Sequence, residues 1–201
     1  MRIRLFMLMV AAATMVAAGA ALAMAPGAPA PGFTITDTAG KAVRLADYRG
    51  KYVVLEWTNP ECPFVRKHYV SGNMQALQKE WGAREVVWLA VNSTNASHPE
   101  FKTPAQMSDW IRAQGAAPAA TLLDATSATG RAYQAKTTPH MFVVDPAGKI
   151  VYAGAIDDRR SANPADAKTA NNYVRAALTE ALAGKPVTVA STTPYGCSVK
   201  Y

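Results

Sequence analysis

Cysteine is scarce in this chain: Cys62 and Cys197 are the only two among 201 residues. At most one internal bridge can form, and the simplest use of the pair is a structural disulfide closing a very long loop. Charge is sparse as well. Charged residues make up 17% of the chain, and its lysines and arginines are scattered, the tight groups being Arg66-Lys67 and Arg159-Arg160. A net charge of +7 spread this thinly gives a moderately basic surface and no nucleic-acid-binding stripe. No internal repeat is present. No compact Met/His/Cys spacing supports a copper site, so neither metal nor cofactor is expected. Apolar residues, by contrast, make up half the chain, enough for one domain with a proper core and little room for a second.

Residues 1–25 read as a secretory signal peptide. Met1-Arg2-Ile3-Arg4 is a basic start, Leu5 to about Ala20 is apolar, and Ala21-Leu22-Ala23 or Ala23-Met24-Ala25 supplies a small-x-small cleavage site. The alternative is an uncleaved membrane anchor. Alanine's weak hydrophobicity favours cleavage, after which no stable membrane insertion is expected. Loss of Arg2 and Arg4 lowers the net charge to about +5. Export, to a periplasm or beyond, places the protein where disulfides persist. Residues 26–32 form a Pro/Ala/Gly linker, residues 33–184 the folded domain, and residues 185–201 a tail carrying Cys197.

Within the domain, Phe33-Thr34-Ile35-Thr36 and Val43-Arg44-Leu45 read as a hairpin, and Tyr52-Val53-Val54-Leu55 as a buried strand. A second buried strand spans Arg84 to Val91. A helix opens at Thr103-Pro104 and carries Met107, Trp110 and Ile111. A short strand over Ala120 to Leu123 and a short helix over Ser127 to Gln134 follow. Met141-Phe142-Val143-Val144 and Lys149 to Gly154 form a second hairpin around Asp145-Pro146-Ala147-Gly148, and Ala155 to Asp166 reads as a polar loop. A last helix, marked by Tyr173, Val174, Ala177, Leu178, Ala181 and Leu182, ends at Gly184. Strands alternating with helices, then a closing hairpin, imply an α/β fold: a mixed central sheet with helices on both faces.

The chemistry centres on Asn59-Pro60-Glu61-Cys62-Pro63-Phe64-Val65-Arg66-Lys67-His68-Tyr69. Val65, Tyr69, Met74, Leu77 and Trp81 recur at helical steps, with a bend at Ser71-Gly72. Pro63 is best tolerated at the first helical position, which places Cys62 at the N-cap. There the free N–H groups and the helix dipole favour an anion, so a thiolate nucleophile is expected. Arg66, Lys67 and His68 add positive charge nearby, and Glu61 opposes it. An inert buried cysteine is the competing reading. His68 is expected on a solvated helix face, and Asp157-Asp158-Arg159 in a polar loop.

Cys62 on a strand-to-helix turn and Thr138-Pro139 just before a strand resemble the thioredoxin-fold superfamily. The particular likeness is to its redoxin branch, the alkyl hydroperoxide reductase/thiol-specific antioxidant family. Leu45-Ala46-Asp47-Tyr48-Arg49-Gly50-Lys51 and the Phe142-to-Tyr152 hairpin carry the resemblance further, over roughly Phe33 to Ala183. It implies that Pro139 is cis, packs beside the sulfur and shapes a substrate groove, with Thr138 alongside. It implies that His140, next in sequence, neighbours the sulfur and tunes it. The chain departs from the family at several points. A Cys-x-x-Cys would need cysteine at Val65 or Asn59, and neither position has one. A peroxiredoxin threonine would stand where Asn59 is, and only Arg66 and Arg159 offer themselves as its arginine.

The expected function is that of an exported thiol-dependent oxidoreductase. It would reduce peroxides or exchange protein disulfides through Cys62, helped by an external thiol reductant. Cys197 is the internal candidate to resolve the intermediate. The alternative is a binding or scaffold module with a permanent Cys62–Cys197 bridge.

Overall fold

A computed structural model describes residues 24–201. The signal-peptide reading falls almost wholly outside the described residues. The first hairpin pairs β1 (Thr34–Thr36) with β2 (Ala42–Arg44). The chain then enters β3 (Val53–Trp57), whose five residues are all buried. Helices α1 (Pro63–Val70) and α2 (Asn73–Gly82) follow, separated at Ser71-Gly72, where the sequence predicts a bend. Next come β4 (Val87–Asn92), α3 (Pro104–Ala113), β5 (Ala120–Leu123), α4 (Ala128–Ala132), β6 (Thr137–Thr138), β7 (His140–Val144), β8 (Ile150–Gly154), α5 (Tyr173–Leu182) and β9 (Cys197–Ser198). The central sheet has the order β5-β4-β3-β7-β8. Strands β3, β4 and β5 run parallel, whereas β7 and β8 are antiparallel additions. This is the thioredoxin-like mixed sheet that the resemblance implies.

Strand alternation divides the core into two layers. Val54 faces Val65, Tyr69, Met74, Leu77 and Trp81 of α1 and α2, and Val174 and Leu178 of α5. Val53, Leu55 and Trp57 face the first hairpin and Tyr133, just beyond α4. Trp57 sits between Tyr133 and Phe142, with ring centroids at 5.1 and 5.3 Å. Such aromatic pairs add about 0.5–1.5 kcal/mol each beyond the area they bury. Helix α3 is held at its start by Thr103, which caps Gln106 N while the Gln106 side chain answers to Thr103 N. Among the described residues no helix is long and apolar enough to cross a membrane.

Two regions differ from the sequence reading. The segment read as a linker, residues 26–32, is docked on β8. Gly27 N donates to Ile150 O, Ile150 N to Ala28 O, and Ala30 N to Gly148 O. Proline-rich composition signals only that the segment cannot form a helix; it does not forbid pairing along an edge strand. The tail is likewise held. Ala153 N donates to Ala190 O, Thr192 N to Ala153 O, Val199 N to Lys136 O and Asn95 N to Lys200 O.

Candidate active site at the Cys62 turn

Asn59 builds the turn. Its side-chain oxygen accepts from Glu61 N at 2.9 Å, and its amide donates to Glu100 at 2.7 Å. Cys62 N donates to Asn59 O at 3.0 Å, which closes the turn. Cys62 is the N-cap residue, in an extended conformation, with Pro63 at the first helical position and Arg66 N donating to Cys62 O. The thiol makes no capping bond; it donates to Thr138 O at 2.9 Å. The Thr138–Pro139 bond is cis.

The tail reaches the same carbonyl from outside. Strand β9 pairs with β6, with Cys197 opposite Thr138. Cys62 and Cys197 therefore meet at Thr138, the one through its thiol and the other through strand pairing, and both are free thiols. Burial first, then the neighbouring Cys62, pushes the Cys197 thiol up to about 12. Gly196 makes the approach feasible. Its φ is 141°, and a Cβ there would lie 2.0 Å from Thr138 O, so only glycine lets the two backbones touch. The strand edge beside Pro139, which the resemblance assigns to substrate, is thus occupied by the chain's own tail. Cys62 is only 1% exposed, and Cys197 is half-buried.

What pins the tail here is a buried polar cluster. Lys67, completely buried, places its ammonium 3.3 Å from Asp157 Oδ2, 2.6 Å from Arg159 O and 3.1 Å from Tyr195 Oη. The Tyr195 hydroxyl donates to Asp157 and lies 3.4 Å from His68 Nε2. Phe64 packs edge-on against the Tyr195 ring at 5.9 Å. His68 is therefore not on a solvated face. Burial, aided by the Lys67 charge, holds its pKa down at about 3, and its Nδ1 meets Asn73 Nδ2 at 2.9 Å. Nor is Asp157 a loop residue in water. A charge whose partner lies 90 positions away looks in sequence like any surface charge, which is why neither was placed correctly.

The remaining sequence candidates separate. His140 alternates with Met141 and so projects to the Trp57 and Phe142 layer, the face opposite Cys62. Its ring centroid is 4.4 Å from that of Phe142, and its Nδ1 accepts from Lys136 N. Burial first, then the Lys136 charge, lowers its pKa to about 3. It does not neighbour the sulfur. Arg66 turns back to Pro60 O and Glu61, and Arg159 to Asp158. Among the described residues no metal-binding cluster of His, Cys, Asp and Glu is formed.

Sequence reading missed Glu56. It is fully buried on the Cys62 face of β3, accepting from Tyr69 Oη and Trp88 Nε1 at 2.8 Å each. Burial raises its pKa to about 7 against the lowering effect of those donors. A carboxyl group interrupting an apolar strand between Leu55 and Trp57 was the available signal.

Among solved structures, an uncharacterized conserved protein from Geobacillus kaustophilus is 30% identical, covers 90% of this chain and 94% of its own, and has a TM-score of 0.78. A hypothetical protein from Sinorhizobium meliloti 1021 is 26% identical, with coverages of 88% and 94% and a TM-score of 0.72. The thioredoxin domain of a thiol-disulfide oxidoreductase from Bacteroides vulgatus is 25% identical over 64% of this chain and 87% of that one, with a TM-score of 0.52. No curated protein matches. A family model, AhpC/TSA, matches residues 26–153. That span takes in the segment docked on β8, the Cys62 turn and the cis Thr138–Pro139 bond, whose carbonyl Cys62 reaches, and by it this chain belongs to the AhpC/TSA family.

Proposed function

We propose that the protein is an exported thiol–disulfide oxidoreductase whose redox pair is Cys62 and Cys197. The observation that carries this reading is the convergence of the two cysteines on Thr138, whose carbonyl accepts from Cys62 and whose strand partner is Cys197. Oxidation of the pair would release two electrons and two protons to a disulfide substrate. Reduction of the resulting bridge would come from an external thiol. Thr138 and Gly196 bring the two cysteines to one carbonyl: Cys62 donates to Thr138 O, Cys197 stands opposite Thr138, and Gly196 packs on that carbonyl. Thr138, Asn59 and Pro63 serve by shaping the turn, Pro139 by its cis geometry. Peroxide reduction receives less support, since neither candidate arginine turns toward Cys62. The name of the Bacteroides vulgatus relative agrees with the disulfide reading. Export to the periplasm or beyond rests on the Met1–Ala25 pattern.

The test sets insulin-disulfide reduction beside peroxide consumption. Cys62→Ser and Cys197→Ser should each abolish disulfide reduction while leaving the fold intact. Equal rates in wild type and both variants would sink the assignment. A second reading, a permanent bridge in a binding module, draws on the tail's firm anchorage through Tyr195 and through Tyr201, whose hydroxyl donates to Ala135 O at 2.6 Å. A redox titration separates the two, because structural bridges stay oxidised until the potential falls below about −300 mV.

A further inference from the structure

Resting on that redox-pair reading, we propose that partners enter at Cys197, and that Cys62 is the internal sulfur that never meets them first. Thiol–disulfide exchange requires the attacking sulfur to approach along the S–S axis, from behind the sulfur it attacks. Behind Cys62 there is protein: it belongs to the core cluster with Val65, Tyr69 and Met74, and it is 1% exposed. Its outer side is covered by Gly196, pressed onto the carbonyl that Cys62 itself contacts. The buried Tyr195 ring and hydroxyl keep that cover in place. Cys197 instead stands on a two-residue strand with one free edge and part of its surface in water.

The step balances as follows. A partner thiolate forms an S–S bond to Cys197, the Cys197–Cys62 bond breaks, and its electron pair leaves on Cys62 as a thiolate. A second thiol of the same partner then displaces Cys197. The partner has become a disulfide by losing two electrons and two protons, and the protein pair is fully reduced. A disulfide-bearing partner runs the same intermediates in reverse. The partner class is therefore a protein with a dithiol or disulfide accessible enough to reach an edge strand, and deep insertion at the α1 turn is not required.

Oxidised full-length protein, its bridge first mapped, is mixed with limiting glutathione, quenched in acid at early times, and digested for peptide mass mapping. The expected result is glutathione on Cys197 in about tenfold excess over Cys62, as access dictates. Adduct found first or equally on Cys62 overturns the entry order while leaving the redox pair intact. Failure of any Cys62–Cys197 bridge to form on oxidation overturns both. A second measurement uses the reduced protein and a polyethylene-glycol maleimide. Cys62 should react about tenfold faster in Gly196→Ala, whose added methyl group displaces the tail, than in wild type. Equal Cys62 labelling in the two proteins would show that the tail does not cover it, and would overturn the proposal.

Discussion

Glu56 and Asp157 are both carboxyl groups sunk beside helix α1, yet their surroundings differ in kind. Glu56 has only neutral donors, Tyr69 and Trp88, and burial wins, raising its pKa to about 7. Asp157 has the Lys67 ammonium, the Tyr195 hydroxyl and the Arg159 N–H. The first group sits under the sheet side of the active turn and can gain or lose a proton near neutrality. The second belongs to an ion pair that joins α1, the segment after β8 and the tail. Equal depth therefore serves different ends. One carboxyl group is adjustable and the other is an anchor, and the identity of the nearest donors makes the difference.

The comparison breaks most visibly at the anchor. Asp157→Ala strands the Lys67 charge in a site with no exposure and should cost about 3–5 kcal/mol in urea unfolding. The double variant Lys67→Met/Asp157→Leu should regain most of that loss, since no lone charge remains. A single-variant loss below about 1 kcal/mol would mean that the pair behaves as a surface ion pair.

Next in size is the pH response. The folded pKa of Glu56, about 7, stands above its ordinary 4.5, so the folded state holds this proton more tightly. Its contribution, about 3 kcal/mol, is complete below pH 4.5 and is lost as pH rises through 7. His68 works in reverse. With a folded pKa near 3 against 6.5, its contribution is complete above pH 6.5 and is lost as pH falls toward 3. Stability measured from pH 4 to 8 should show Glu56→Gln losing the decline toward neutral pH while keeping the acid-side loss. An unchanged profile in Glu56→Gln would mean that the carboxyl group is not the adjustable one.

The smallest effect belongs to Tyr195→Phe, which keeps the ring against Phe64 and removes the hydroxyl. The loss of a hydrogen bond to a charged group should cost about 1.5–3 kcal/mol. It should also slow Cys62–Cys197 bridge formation under a fixed glutathione buffer, because the tail is held less firmly. Equal closure rates would confine the cluster to stability alone.

Much of the fold was legible because apolar periodicity reports burial. Tyr52-Val53-Val54-Leu55, Met141 to Val144 and the helical steps from Val65 to Trp81 each announced their element. The Cys62–Pro63 cap, the Thr138-Pro139 step and the bend at Ser71-Gly72 were local signals of the same kind. Lys67, His68, Asp157 and Glu56 were not legible. Polarity is read as exposure unless the partner is known, and Lys67 and Asp157 lie 90 residues apart. Residues 26–32, read as a linker, failed for a related reason. A short extended segment without periodicity looks unpaired until the edge that receives it is in view.

The placing of Cys62 beside Cys197 also has a mechanical meaning. Once bridged, residues 63–196 become a closed ring, and a pull on the two chain ends passes through the sulfur–sulfur bond. Only the segments before Cys62 and after Cys197 could then lengthen. Roughly 450 Å of contour, at about 3.4 Å per residue, would stay hidden until a reductant opened the ring. Held under constant tension, a single molecule would report each exchange at Cys197 as a discrete lengthening of its tether.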